Sequence, residues 1–205
     1  MIGLFTFTGT SGSNYICSAT AVRNNHIVTA AHCVYDTELD RSYTNKAFHP
    51  AYRSGTRPYG VFSVHACVVL KTWVDLSGSY SINSWARHDI AVCDVGRNSA
   101  GRTLNGAVGW VALTWGLDYN ELIFNAGYPV VDYTGETYPD LLFRSCTAES
   151  FKQTTNTRGM GCPHVGGISG GPWVYKYKPN YSGGSNYVTG VNSGGFVGVP
   201  NGYGA

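Results

Sequence analysis

Charge is scarce in this chain. Asp, Glu, Lys and Arg supply 13% of its 205 residues, and the formal net charge is +2. That balance creates no field able to draw nucleic acid, so no nucleic-acid partner is expected. No apolar run approaches the roughly eighteen residues that a membrane-spanning helix needs, and no membrane partner is expected either. Helical periodicity is equally hard to find. The cysteines never stand at CxxC spacing or beside histidine pairs, which argues against zinc, and no metal or organic cofactor is expected. The opening residues Met1-Ile2-Gly3-Leu4-Phe5 offer neither a basic n-region nor a long apolar h-region. The sequence therefore reads as a mature secreted form.

What is present points to an all-β protein. The 27 glycines, 15 tyrosines and many polar turn residues suit short strands joined by frequent turns. The length is enough for a substantial core, as one unit or as two small lobes sharing an interface. Six cysteines form an even set, which fits a disulfide framework in an oxidising, extracellular compartment. Strands are expected over residues 3–8, 15–22, 26–31 and 61–73, then in the run after Asp89. Further strands are expected over 107–114, 122–126, 141–146, 173–177 and 187–192. Residues 35–60, 75–85 and 133–140 read as loops, 180–186 as a turn and 97–106 as a linker. His26 reads as a turn histidine, His49 as a loop histidine without a catalytic part, and His65 as a packed or edge histidine.

Three motifs carry chemistry. Gly166-Gly167-Ile168-Ser169-Gly170-Gly171-Pro172 surrounds one serine with small residues, a segment that packs poorly inside a sheet. It can present the Ser169 hydroxyl and aim the amides of Gly167 and Ser169 at one point, as an oxyanion hole requires. Alone it is equally a Gly-rich turn. Thr29-Ala30-Ala31-His32-Cys33 supplies a histidine suited to general-base work. His88-Asp89-Ile90-Ala91-Val92 supplies a carboxylate to orient that histidine. Asp94, nearby, is the weaker alternative to Asp89.

With the order His, Asp, Ser, the chain resembles the chymotrypsin/trypsin-like serine peptidases, and among them the secreted glutamyl-endopeptidase (V8-like) and related microbial and fungal branch. Supporting stretches are Cys17-Ser18-Ala19-Thr20-Ala21-Val22, Gly127-Tyr128-Pro129 and Gly190-Val191-Asn192-Ser193-Gly194-Gly195. The resemblance implies two six-stranded antiparallel β-barrels, residues 1–100 with His32 and Asp89, and 101–205 with Ser169, the site lying in the cleft between them. It implies a Cys17–Cys33 bridge; Cys67 with Cys93 and Cys146 with Cys162 are one pairing of the remainder, with the others still open. It makes Ser193 a candidate partner of Asp89, and it makes Gly194 and Gly195 an edge on which substrate backbone can pair.

The specificity residues depart from the family. Pro163 holds the place of the aspartate that binds basic P1 side chains, and Asn192 holds that of the histidine that receives an acidic one. His164, at the pocket wall, could supply a donor instead, so an acidic P1 preference is one reading. Ile168 replaces the aspartate that captures a new N-terminus. The family continues with one more strand and a helix, so either a tail has been removed or the second barrel closes by another route. The leading reading is a secreted, monomeric serine endopeptidase acting on protein or peptide. The alternatives are a catalytically silent binding or toxin-like module, a carbohydrate-binding β-protein, and an esterase using the same residues.

Overall fold

The computed structural model describes residues 1–75, 86–132, 134–155, 157–163, 166–179, 186–194 and 203–204. Strands dominate them: β1 (Ile2–Thr8), β2 (Asn14–Val22), β3 (His26–Thr29), β4 (Tyr35–Asp36), β5 (Arg41–Ser42), β6 (Thr44–Pro50), β7 (Phe62–Val69) and β8 (Ala91–Val95). There follow β9 (Ala112–Leu113), β10 (Leu122–Gly127), β11 (Arg144–Thr154), β12 (Thr157–Gly161), β13 (Pro172–Tyr175), β14 (Tyr187–Val191) and β15 (Tyr203–Gly204). The helices are short, α1 (Lys71–Asp75) and α2 (Leu104–Val108). Among the described residues no helix is long and apolar enough to cross a membrane.

Strands β1-β2-β3-β8-β7-β6 close into a barrel, with β6 returning to pair antiparallel with β1. Closure leaves no sheet edge for another chain to pair with. Period-two alternation fills the interior. On β8, Ala91, Cys93 and Val95 point inward, while Val92 and Asp94 face out. Phe5, Ile27, Phe48 and Phe62 are fully buried within the same core.

The later strands form a second sheet in the order β15-β12-β11-β10-β13-β14-β9, antiparallel except where β9 runs alongside β14. Ile123, Met160 and Trp173 fill its interior. A third apolar cluster joins the two lobes: Val22 and Val28 from the first pack with Val111, Phe124, Ala126, Val174 and Val188 from the second. The seam between lobes is thus itself a core. All three cysteine pairs form: Cys17–Cys33, Cys67–Cys93 and Cys146–Cys162.

Four expectations need correcting. Residues 35–60 are not all loop, since they contain β4, β5 and the barrel strand β6. Thr44–Pro50 (TNKAFHP) lacks clean alternation, and its strand form comes from pairing with β1 and β7 on either side. The run from Val61 ends as a strand at Val69 and turns into α1. The expected strand at 107–114 shrinks to Ala112–Leu113, because Thr103 caps α2 by accepting a hydrogen bond from the Gly106 amide. The strand expected at 141–146 runs instead from Arg144 to Thr154 and is followed by β12, which had no distinct apolar signature. Residues 76–85 and 180–185, expected as loop and turn, lie outside the described residues.

His49 shows how this barrel handles a buried polar group. It is nearly inaccessible, at 6% exposed. Its Nδ1 accepts from Arg57 Nε at 3.3 Å, which leaves Nε2–H to donate to Thr6 Oγ1 at 3.0 Å. Burial, helped by the Arg57 charge, pushes its pKa down to about 4. An unfolded chain would protonate this ring near pH 6.5, so the unfolded state binds the extra proton first as pH falls. The contribution of neutral His49 is complete above that value and is lost as pH drops toward 4. Denaturant midpoints measured across that window should fall, and His49→Gln should flatten the decline.

Candidate active site

β2 and β3 build the histidine arm. They pair antiparallel, and the chain leaving β3 makes a tight turn, Ala31–Cys33, that carries His32. The Cys17–Cys33 disulfide fastens that turn back to β2. Cys17 and Cys33 lie close to His32, but disulfide-bonded sulfurs are not thiolate ligands, so this cluster is not a metal site.

Asp89 stands between a turn (Ala86–His88) and β8 and is 1% exposed. A carboxylate this deep needs donors. The backbone N–H of His32 donates to Oδ1 at 2.8 Å, and His32 Nδ1–H donates to Oδ2 at 2.6 Å. The Ser193 hydroxyl donates to Oδ2 at 2.5 Å. With its proton fixed on Nδ1, the neutral ring turns the Nε2 lone pair away from Asp89. Burial alone would lower the imidazole pKa, yet the Asp89 charge and hydrogen bond outweigh it and leave it raised.

The serine turn is held from several sides. The Val130 amide donates to Gly166 O at 2.7 Å, and the Ser18 amide donates to Ser169 O at 2.7 Å. Ser18 Oγ donates to Gly167 O at 3.2 Å while accepting from the Tyr128 amide at 2.8 Å. Gly170 N–H donates to Asn192 O at 2.7 Å, and Asn192 N–H returns to Gly171 O at 2.9 Å. Among the described residues, the amides of Gly167 and Ser169 donate to no backbone carbonyl. Gly170 adopts φ +76°, and a Cβ there would run into Thr29 Oγ1, Ser18 O and the Ala30 amide. The turn with Ser169 therefore lies against the segment that leads into His32.

His32, Asp89 and Ser193 are thus brought together by direct hydrogen bonds, with the Ser169 turn packed on the histidine arm. Asn192, expected among the substrate-binding residues, is 4% exposed. Its Oδ1 accepts from Asn125 Nδ2 at 2.5 Å and Trp173 Nε1 at 2.7 Å. Its Nδ2 donates to Asn125 Oδ1 and Ile168 O, both at 3.3 Å. Those bonds use the amide to brace the serine turn from below. Ser193, at 5% exposed, likewise turns its hydroxyl to Asp89 and not to the cleft. Gly194 follows it, half-buried. His164 and Gly195 lie outside the described residues. Ile168 is buried, so an apolar side chain occupies the position read as replacing an aspartate.

Ser18, Thr29 and Asn125 were missed as supports. Ser18 stands within the Cys17–Val22 stretch, but nothing in sequence says that one serine can serve two lobes. A cavity of about 210 Å³ opens beside Asp89, lined by Ala86, Arg87, Arg158, Trp173, Thr189 and Gly190 among others. A larger one of about 600 Å³, near Tyr52, Phe124 and Phe143, touches neither His32, Asp89 nor Ser169.

Paired β lobes, three disulfides and a Gly-framed serine braced against a histidine arm define the class of two-barrel serine peptidases. The Trypsin family profile matches residues 3–204, and the chain belongs to that family as a trypsin-like serine endopeptidase. It is similar to the protease Anisep from Arthrobacter nicotinovorans, at 28% identity over 99% of this chain and 88% of that one, with a TM-score of 0.79. It is similar also to AL20, a thermostable serine protease from an extremophilic microorganism, at 26% identity, 99% and 89% coverage and a TM-score of 0.76. A Glu endopeptidase in complex with MPD shares 16% identity over 98% and 82% of the two chains, with a TM-score of 0.69, a likeness of fold alone. No curated protein matches the chain.

Gly170→Ala tests the serine turn. Left-handed strain and collision with backbone should together cost about 2–5 kcal/mol. Urea unfolding beside the parent measures it, and an unchanged midpoint would mean the turn is not held as described.

Proposed function

We propose that the chain hydrolyses peptide bonds through a Ser169–His32–Asp89 triad and an acyl-enzyme intermediate, as a secreted, monomeric endopeptidase. The observation that carries this reading is the buried Asp89 carboxylate, which takes hydrogen bonds from both the backbone and the ring of His32. A serine hydroxyl is a weak nucleophile near neutrality and needs a base within reach. His32 takes the Ser169 proton as Oγ attacks the scissile carbonyl, then delivers it to the leaving amine. Asp89 stabilises the imidazolium formed between those steps, in keeping with the raised His32 pKa. The amides of Gly167 and Ser169 receive the oxyanion. Water then repeats the sequence on the acyl-enzyme and releases the second product.

In this reading residues 1–100 supply His32 and Asp89, and residues 101–205 supply Ser169, the oxyanion donors and the Gly194-Gly195 edge on which substrate pairs. Three disulfides fit an extracellular site of action. No metal or organic cofactor enters the mechanism. The test is intact mass after exposure to a serine-reactive fluorophosphonate. One adduct is expected on the parent and none on Ser169→Ala. A folded parent that takes up no adduct would instead favour the silent binding-module reading.

The proposal extends to an acidic P1 side chain, with His164 as the donor. It rests on sequence alone: Pro163 stands where a carboxylate would receive Lys or Arg. Cleavage-site profiling on a peptide mixture should enrich Glu and Asp at P1, and His164→Ala should erase that enrichment. Equal cleavage after neutral residues would end this part of the proposal and leave the triad untouched.

A further inference from the structure

We infer that the cavity of about 600 Å³ at the seam between the lobes is a binding site for a small aromatic carboxylate, its ring held by aromatic walls and its charge by Arg53 and Lys178. The site lies apart from His32, Asp89 and Ser169 and is independent of the proposed triad chemistry. Its volume falls in the range of roughly 300–1,000 Å³ typical of small-molecule pockets. Both lobes build it: Tyr52 and Arg53 follow β6, while Phe124, Phe143, Tyr177 and Lys178 come from the second sheet and its connections. The rings are set for a planar guest. Tyr128 stands edge-on to Tyr52 and to Phe143, with centroids 6.2 and 6.0 Å away and planes at 74° and 70°. Tyr177 lies flat on Phe124, their centroids 3.7 Å apart. Phe143 and Tyr177 are still 43% and 42% exposed, so two ring faces in one cavity are left without a protein partner over much of their area. Exposed apolar groups gathered in this way mark binding grooves, and an aromatic guest can meet such rings stacked or edge-on.

The polar groups decide which aromatic guest fits. Arg53 and Lys178 line the cavity, and no carboxylate does. Neither cation makes an ion pair among the described residues. Other cations of this chain are occupied: Lys71 pairs with Asp75, Arg144 with Asp140, and Arg57 donates to His49. At the floor, Tyr128 is fully buried and its hydroxyl has no hydrogen-bond partner. Burial raises its pKa, so it keeps its proton, and the neighbouring Tyr52 amide is itself a donor. Asn186, which also lines the cavity, is spent on its own turn. Its Oδ1 accepts from the Lys178 amide at 2.7 Å, and its Nδ2 donates to Lys178 O at 3.1 Å. The cavity thus offers two positive charges and an unpaired donor, with no anion to meet them. A carboxylate brings both the negative charge and the acceptor lone pairs, and its planar fork matches a guanidinium.

The experiment is calorimetric titration of the full chain with 2-naphthoate and, separately, with the uncharged 2-naphthamide. The double variant Arg53→Gln/Lys178→Gln and the single variant Phe143→Ala are titrated alongside. One 2-naphthoate should bind the parent with a Kd below about 1 mM, and 2-naphthamide should bind about tenfold more weakly. The double variant should bind the two ligands alike, and Phe143→Ala should bind both at least roughly threefold more weakly. A charge preference that survives in the double variant, or binding untouched by Phe143→Ala, overturns the site. So does a parent that shows no saturation by about 1 mM of either ligand. If that parent also sediments as a dimer that Phe143→Ala breaks, the cavity belongs to a second copy of the chain instead.

Discussion

The arrangement turns on one buried anion. Removing a carboxylate from water is costly unless donors surround it, and Asp89 obtains three of them from two places in the chain. Two come from His32, fixing both the backbone turn and the ring. The third comes from Ser193, which belongs to the second lobe. Satisfying this charge therefore does more than orient an imidazole: it ties the segment after β14 to the first barrel. Replacing any one donor would leave a buried lone pair exposed to an apolar surrounding, so the three segments constrain one another.

The serine turn follows a parallel logic with neutral groups. Gly-rich backbone has little side-chain packing to fix it, so its carbonyls are anchored one by one, by Val130, Ser18 and Asn192. Asn192 can do this because Asn125 and Trp173 saturate the rest of its amide. A polar network with its members paired in this way is rigid and specific, whereas a partly paired one would be neither.

Much of this was legible in the sequence. The three motifs, their order and the cysteine count pointed to the family, and alternation on β8 placed Asp89 at the mouth of a strand. Other features were not readable, for physical reasons. β6 buries Phe48, His49 and Pro50 in succession, a run with no period-two alternation, and owes its form to neighbours far away in sequence. The resemblance gives Asn192 a position along the chain but not the direction of its side chain, which burial and four hydrogen bonds supply. Ser18 gave no sign of its role, since a serine between Cys17 and Ala19 reads as ordinary strand. His65 read as a packed or edge histidine; it stands exposed beside a register shift between Val64 and Ala66 that period two cannot foresee.

Ser18 also bears on how the molecule handles force. Its amide and hydroxyl make three hydrogen bonds that cross from β2 to the other lobe, to Ser169, Gly167 and Tyr128. Swinging the lobes apart would break all three at once and open the apolar seam of Val28, Phe124 and Val174. The two lobes are consequently held at a preset spacing, closer to a die than to a clamp. On the proposed reading, a polypeptide substrate would have to supply the bending itself, so unstructured chains and loose loops would be admitted more readily than folded ones.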